Sequence, residues 1–147
     1  MSGVPRAGEQ QGTLMRVGTI RLVAIAGLST LGLVALGVQA EDYGPFKEQK
    51  TKAGDVLADA QGMTLYTYDK DKAGESACTG KCAEVWPPAK ASASDKASGD
   101  FTVIKRPDGT MQWAHDGKPL YMYQDDKKGG DVNGDGKGGV WHAAKAE

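Results

Sequence analysis

Hydrophobic residues occur along this chain in short runs that are separated by polar and glycine-rich stretches. Short runs of aromatic, β-branched and aliphatic side chains are typical of strands rather than helices. They predict strands at 56–59, 65–68, 101–105, 111–115, 120–123 and 140–143. Turn residues lie between several of these runs, including Asp108-Gly109 and Asp116-Gly117. We therefore expect a hairpin over residues 56–68 and a three-stranded meander over residues 101–123.

One segment has helical rather than strand spacing. Cys82, Val85 and Trp86 fall at positions i, i+3 and i+4, and Pro87-Pro88 then ends the segment because proline lacks a backbone donor. Residues 89–99 are rich in Ala, Ser, Lys and Asp, which predicts an exposed, mobile connector. The expected fold is a small, mostly β single domain. It contains two related hairpin-like units and one short helical turn at the Cys-x-x-x-Cys segment.

The pattern Gly-x-x-Leu-Tyr-x-Tyr-x-x-Asp occurs twice, at 62–71 and 117–126, with corresponding residues 55 positions apart. Such an offset indicates a duplicated unit. Side chains alternate across a strand, so the two tyrosines of each copy share one face. The motif residues are Tyr66, Tyr68 and Asp71 in the first copy and Tyr121, Tyr123 and Asp126 in the second. Two interpretations stay open: a strand that ends in an Asp-anchored turn, or a contact surface made by four tyrosines.

The N-terminal segment has the features of an export signal. Arg16 and Arg21 precede an uncharged run over 22–38, and small residues precede Glu41. The run is shorter than the roughly 20 apolar residues that a spanning helix needs. We expect a signal peptide at residues 1–40, with Met15 as a possible true start, and a retained anchor as the alternative. Neither cysteine lies near residue 40, so no lipid anchor is expected, and the mature protein would be periplasmic or secreted, without a membrane span.

Charge excludes one class of partner. Three arginines and one glutamate precede Glu41, so residues 41–147 carry 15 basic and 18 acidic side chains, a net charge of −3. No basic patch is present in the sequence, and nucleic-acid binding has no electrostatic basis. After the signal peptide we expect a flexible lead-in at 41–55, a duplicated β domain at 56–143 and a tail at 144–147.

A wider set of residues carries a family resemblance. The repeated motif, the segment Cys78-Thr79-Gly80-Lys81-Cys82-Ala83-Glu84-Val85-Trp86-Pro87-Pro88 and the ending Gly138-Gly139-Val140-Trp141-His142 are similar to small secreted bacterial proteins, many described as lipoproteins, with a repeated Tyr-x-aromatic-x-x-Asp motif. The resemblance covers residues 56–143. It implies the architecture and an exported location, and no particular activity.

The chain has two cysteines, Cys78 and Cys82. An exported chain meets an oxidising compartment, where a structural disulfide is the first expectation. The alternative is a redox-active or copper-binding pair, because the Cys-x-x-x-Cys spacing resembles that of thioredoxin-like copper-delivery proteins and thiolates select Cu(I). Further copper ligands would come from Met63, Met111, Met122, His115 and His142.

The segment Asp131-Val132-Asn133-Gly134-Asp135-Gly136 matches the first half of a calcium loop. Oxygen ligands at positions 1, 3 and 5, from Asp131, Asn133 and Asp135, suit Ca²⁺, and glycine at position 6 permits the sharp turn. Position 12 is His142 instead of the expected glutamate. A solvated glycine loop is the alternative.

These features favour a non-enzymatic exported module with a binding or structural role in the cell envelope. No catalytic residue and no cofactor are expected, with Ca²⁺ or copper as lesser possibilities, and the partner would be a cell-envelope protein or surface component. The alternative is a periplasmic thiol-redox or copper-handling protein that uses Cys78 and Cys82.

Overall fold

The computed structural model describes residues 43–146. The predicted signal peptide at 1–40 lies outside these residues. The described part is mostly β, as predicted, and contains one short α-helix near the cysteines. Its elements are β1 (Lys47–Thr51), β2 (Gly54–Ala58), β3 (Tyr66–Tyr68), α1 (Lys81–Val85), β4 (Lys90–Ala91), β5 (Phe101–Lys105), β6 (Met111–His115), β7 (Lys118–Pro119), a 3₁₀ turn (Lys137–Gly139) and β8 (Trp141–Ala143). None of the described helices is long and apolar enough to cross a membrane.

Antiparallel pairing joins the strands in three groups. β1 pairs with β2, β3 pairs with β8, and β6 pairs with β4, β5 and β7. The meander of β5, β6 and β7 agrees with the predicted order, with its third strand limited to Lys118–Pro119. Because β3 and β8 lie 75 residues apart at the paired Thr67 and His142, the end of the domain closes onto its first half.

The structure corrects the predicted start and end of the domain. The lead-in expected at 41–55 contains β1 and the start of β2, and β1 is the hairpin partner of β2. The hairpin expected over 56–68 is present only next to its turn, where Leu65 N–H donates to the Leu57 carbonyl at 2.9 Å and Ala58 forms a bridge with Thr64; its second strand, β3, pairs with β8 instead. The polar sequence of β1 has no apolar alternation that could have predicted it. Its strand is set by backbone pairing with β2, of which residues 56–58 are buried.

Three other segments also differ from expectation. Residues 120–123 are not a continuous strand: Tyr121 forms single bridges with Tyr66 and with Pro88, and proline cannot extend a ladder. The connector expected at 89–99 begins with β4 and a buried Ala89. The tail expected at 144–147 is paired at Ala144, whose N–H donates to the Leu65 carbonyl at 2.8 Å.

Alternation along the motif divides the interior into two clusters. The tyrosine core contains Val56, Tyr66, Cys78, Trp86, Tyr121, Tyr123, Trp141 and Ala143. The leucine core contains Leu57, Leu65, Ala89, Phe101, Trp113, Leu120 and Ala144. In both repeats the leucine of the motif enters one cluster and the tyrosine that follows enters the other, as the period of two requires.

Candidate functional site

The two tyrosine segments meet at a local two-fold arrangement. Tyr66 N–H donates to the Tyr121 carbonyl at 2.8 Å, and Tyr121 N–H donates to the Tyr66 carbonyl at 2.9 Å. These residues occupy the same position in the two repeats. Equivalent backbone contacts continue outward in pairs: Ala144 donates to Leu65 as Ala89 donates to Leu120, at 2.8 and 2.9 Å.

The first tyrosine of each motif copy is hydrogen-bonded to the aspartate of the other copy, and we call this arrangement the tyrosine–aspartate exchange. The Tyr66 hydroxyl donates to Asp126 Oδ2 at 2.6 Å, and the Tyr121 hydroxyl donates to Asp71 Oδ2 at 2.7 Å. The second oxygen of each carboxylate accepts a backbone N–H of its own loop, from Ala77 at 2.7 Å for Asp71 and from Asn133 at 3.0 Å for Asp126. Each aspartate therefore anchors its own loop and holds the other repeat.

Four aromatic rings stack across the same boundary. Trp86 and Trp141, which are also 55 positions apart, stack with ring centroids 3.8 Å apart and planes 4° apart. Tyr68 stacks on the outer side of Trp141 at 4.2 Å, and Tyr123 stacks on Trp86 at 4.3 Å. Two further tyrosines pack edge-to-face against the tryptophans, Tyr66 against Trp86 at 76° and Tyr121 against Trp141 at 89°. The aromatic residues of the motif therefore build the junction of the two repeats.

Gly134 allows the glycine loop to lie against this stack. A Cβ at this position would come within 2.7 Å of the Trp86 ring, closer than real contacts allow. Its N–H also points to the Tyr66 hydroxyl at 3.3 Å. The absence of a side chain at residue 134 is thus a packing requirement of the tyrosine core.

Arg106 is buried next to one side of the boundary. Its guanidinium donates to Gln112 Oε1 at 2.7 Å, to the Cys78 carbonyl at 2.7 Å and to Ser76 Oγ at 2.9 Å. The Ser76 hydroxyl lies 2.7 Å from that of Tyr121, so Arg106 is linked to the Tyr121–Asp71 pair. This role was not predicted, although the sequence contains a signal for it: Arg106 is the sole arginine after residue 40.

Burial controls the titration of these groups. Desolvation raises the pKa of Asp71, although the Ala77 N–H, the Tyr121 hydroxyl and the Arg106 charge act in the opposite direction. Desolvation is also the largest cause of the raised pKa of Tyr66 and of Tyr121, and the hydrogen bond to the facing aspartate adds to it. Both hydroxyls therefore stay protonated, as donors, through the physiological range.

The interpretation of the tyrosines as a contact surface is wrong. Tyr66 and Tyr121 have no exposed area, and 7% of Tyr123 is exposed. Only Tyr68 is partly exposed among the four, and its ring is stacked on Trp141. Sequence reasoning could not distinguish the two uses, because a half-buried strand face and an inter-repeat face have the same pattern.

Cys78 and Cys82 form a disulfide with an S–S distance of 2.04 Å. Cys78 is fully buried in the tyrosine core, and Cys82 packs against that core. The bond joins the loop after β3 to the first turn of α1. The redox and copper alternative stays a prediction.

The three residues of the predicted calcium loop have separate protein partners. Asp131 Oδ2 accepts the N–H groups of Lys127 and Lys128, and Asp135 Oδ1 accepts that of Ala143 at 2.9 Å. The Asn133 amide donates to the Asp125 carbonyl at 3.3 Å. The hydrogen bond from the Lys127 backbone N–H is the largest cause of the lowered pKa of Asp131. These contacts close the loop by themselves, and the calcium site stays a prediction.

Both histidines of the chain line one surface cleft of about 360 Å³, which we call the histidine cleft. His142 Nε2 lies 2.8 Å from Asp69 Oδ2, and this pair joins the second repeat to the first. Thr67, on the strand that pairs with β8, adds a hydroxyl. The full lining is Thr67, Asp69, His115, Asp116, Lys118, His142, Ala143, Ala144 and Lys145.

In the sequence, His115 and His142 stand out only as possible copper ligands, and nothing in it brings them together. Their 27-residue separation contains no motif. They line the same cleft because β6 ends at His115 and β8, paired with β3, contains His142. Among the lining residues of this cleft there is no cysteine or methionine.

Comparison with known proteins agrees with the internal duplication. A family model described as a secreted repeat of unknown function matches twice, at residues 48–90 and 102–145. No curated protein and no solved structure matched the chain. The two matched segments contain the two halves of the tyrosine–aspartate exchange and of the aromatic stack. The chain therefore belongs to the family of secreted repeats of unknown function.

Proposed function

We propose that this chain is a non-enzymatic exported module, and that it docks a polar segment of a cell-envelope protein in the histidine cleft. The observation that carries the proposal is the contrast between the buried motif residues and the exposed histidine cleft. The residues of the repeated motif are used for packing inside the molecule, whereas the cleft exposes polar side chains from both repeats. Membership in a secreted family supports the exported location.

The charges of the cleft favour a polar partner over a strongly charged polymer. Two carboxylates, Asp69 and Asp116, are balanced by two ammonium groups, Lys118 and Lys145. A cleft with both signs gives specificity through complementary hydrogen bonds and ion pairs. A peptide segment with a mixed polar sequence offers the matching groups.

The contents of the cleft also favour binding over catalysis. A nucleophile of the serine or cysteine type requires a hydroxyl or thiol within hydrogen-bond reach of a base. The lining has one hydroxyl, on Thr67. Among the described contacts, the His142 ring is hydrogen-bonded to the Asp69 carboxylate and not to this hydroxyl. The His142–Asp69 pair therefore acts as a tie between β8 and the end of β3.

Site-specific photocrosslinking in living cells tests this proposal. A photoreactive amino acid is placed at Lys118, in the cleft, and as a control at Lys96, which is exposed in the segment between β4 and β5. We expect one discrete envelope-protein adduct from position 118 and none from position 96, and the adduct should be lost with Asp69→Ala. An equal adduct pattern at both positions, or no adduct at 118, contradicts docking in the cleft.

A further inference from the structure

We propose that Asp100, His115 and Asp116 form a binding site for a divalent first-row transition-metal cation, of which Zn²⁺ is the probe. One ligand atom from each residue lies within 4.8 Å of the others. His115 and Asp116 also line the histidine cleft, so the site lies at its edge. The inference does not depend on the proposed docking role.

Strand pairing brings the three residues together. Phe101 pairs with His115 in the β5–β6 ladder, so the preceding Asp100 lies beside Asp116. The Asp116 N–H donates to the Asp100 carbonyl at 2.9 Å, which fixes the two backbones next to each other. The His115 ring stacks on Phe101 with centroids 4.6 Å apart, and Phe101 is buried in the leucine core. One ligand is thus oriented by packing, and the other two are held at a defined backbone distance.

The side-chain hydrogen bonds single out the same two aspartates. Among the twelve aspartates of the described residues, Asp100 and Asp116 are those whose carboxylates have no hydrogen bond or ion pair with another described residue. The other ten bind backbone N–H groups or side chains: Asp55, Asp59, Asp69, Asp71, Asp95, Asp108, Asp125, Asp126, Asp131 and Asp135. The two carboxylates without partners are therefore the two that converge on a histidine.

The donor set selects the type of metal. One imidazole nitrogen and two carboxylate oxygens suit Zn²⁺ and its first-row neighbours, whereas Ca²⁺ requires more oxygen ligands. Around tetrahedral Zn²⁺, ligand atoms lie about 3.4 Å apart, as bond lengths of about 2.1 Å require. Asp100 and Asp116 are exposed, so their side chains can rotate to close the present spacing. Water would occupy the fourth position, and the nearby Lys118 limits the affinity.

The chain supplies a matched control in its second histidine. His142 lies in the same cleft, is exposed where His115 is half-buried, and is bound to Asp69 outside the proposed ligand group. Asp116→Asn tests a ligand without disturbing the turn. Asp116 has a positive φ of 50°, which asparagine adopts readily.

The protein is produced by export with its own N-terminal segment and is made metal-free. It is then titrated with Zn²⁺ and, separately, with Mg²⁺. Binding is followed by calorimetry and by NMR of the two histidine rings. We expect one Zn²⁺ per chain, perturbation of the His115 ring alone, and no response to Mg²⁺. Affinity should fall about tenfold or more with His115→Ala and with Asp116→Asn, and change less than about twofold with His142→Ala.

Several results would overturn the site. These are the absence of Zn²⁺ binding in the wild type, equal perturbation of both histidine rings, or unchanged affinity in folded Asp116→Asn. A Zn²⁺ response that disappears with His142→Ala instead would assign the metal to the other histidine. None of these outcomes bears on photocrosslinking from position 118, so the two proposals fail separately.

Discussion

At the scale of single residues, the tyrosine–aspartate exchange explains why the motif needs both residue types. A buried carboxylate is stable only when its oxygens accept hydrogen bonds, and a buried phenol needs an acceptor. Tyr66 with Asp126 and Tyr121 with Asp71 satisfy both needs across the repeat boundary. The spacing of five residues from tyrosine to aspartate lets one chain segment supply a donor to one pair and an acceptor to the other.

Tyr121→Phe is expected to destabilise the protein by about 1–3 kcal/mol, because Asp71 and Ser76 lose a buried partner while the ring still packs. Tyr68→Phe is the matched control. The Tyr68 ring is stacked in the same cluster, but no described residue is hydrogen-bonded to its hydroxyl. Urea unfolding of both variants checks the prediction. Equal stabilities would show that the exchanged hydrogen bond contributes nothing.

The burial of Arg106 is also explained by the contacts of a single residue. A buried cation is tolerated where several acceptors surround it. Three acceptors do so here, Gln112, Ser76 and the Cys78 carbonyl, and the last of these links the arginine to the disulfide loop. The arrangement is present on one side of the boundary only, so the two repeats are related but not equivalent.

At the scale of elements, α1 shows how a covalent bond replaces intrinsic helix stability. A helix of five residues has too few hydrogen bonds to persist alone. Its position is fixed by the disulfide at its start, by Trp86 in the aromatic stack at its end, and by the prolines that follow. The sequence predicted this helix correctly because these local signals lie within eleven residues.

Removing the disulfide in Cys78→Ala/Cys82→Ala should lower the free energy of unfolding by about 2 kcal/mol, as loop-closure entropy for so short a loop requires. Chemical denaturation of the wild type and the double variant measures the difference. The wild type treated with a reductant is the control and should lose a similar amount, whereas the variant should not respond. A wild type that is equally stable when reduced would exclude a structural role for the bond.

At the scale of the whole molecule, neither repeat is complete without the other. β3 of the first matched segment pairs with β8 of the second, and each motif hydroxyl uses a carboxylate of the other repeat. The aromatic stack likewise alternates between the two repeats. We expect the described domain to unfold as one cooperative unit, since separation of the repeats exposes all of these groups together.

The raised pKa values of Tyr66 and Tyr121 predict a loss of stability in alkali. Their protons are bound more tightly in the folded state, so this contribution is complete below the unfolded tyrosine pKa of about 10 and is lost progressively above it. Each tyrosine should add about 1.4 kcal/mol per pH unit to the decline once the unfolded phenol is ionised.

Denaturation of the wild type and Tyr121→Phe between about pH 8 and 11 isolates this effect from the titration of lysines, which both proteins share. Tyr121→Phe should show a shallower alkaline decline than the wild type, because it lacks one of the two tyrosines whose pKa is raised. Parallel profiles for the wild type and Tyr121→Phe would contradict the proposed alkaline linkage.

The sequence by itself determined the β class, the duplication and the short helix, and it placed the strands at 101–105, 111–115 and 140–143 within a residue. It could do so because alternation, turn residues and the 55-residue offset are local or repeated signals. Only the tertiary structure decided which strands pair, that polar β1 is a strand, and that the motif tyrosines face inward. It also decided that His115 lies near Asp100 and Asp116, whose carboxylates have no hydrogen-bond partner among the described residues. The physical reason is that long-range backbone pairing and burial depend on which strand faces pack together. The residue pattern of one segment does not specify which other segment will pair with it.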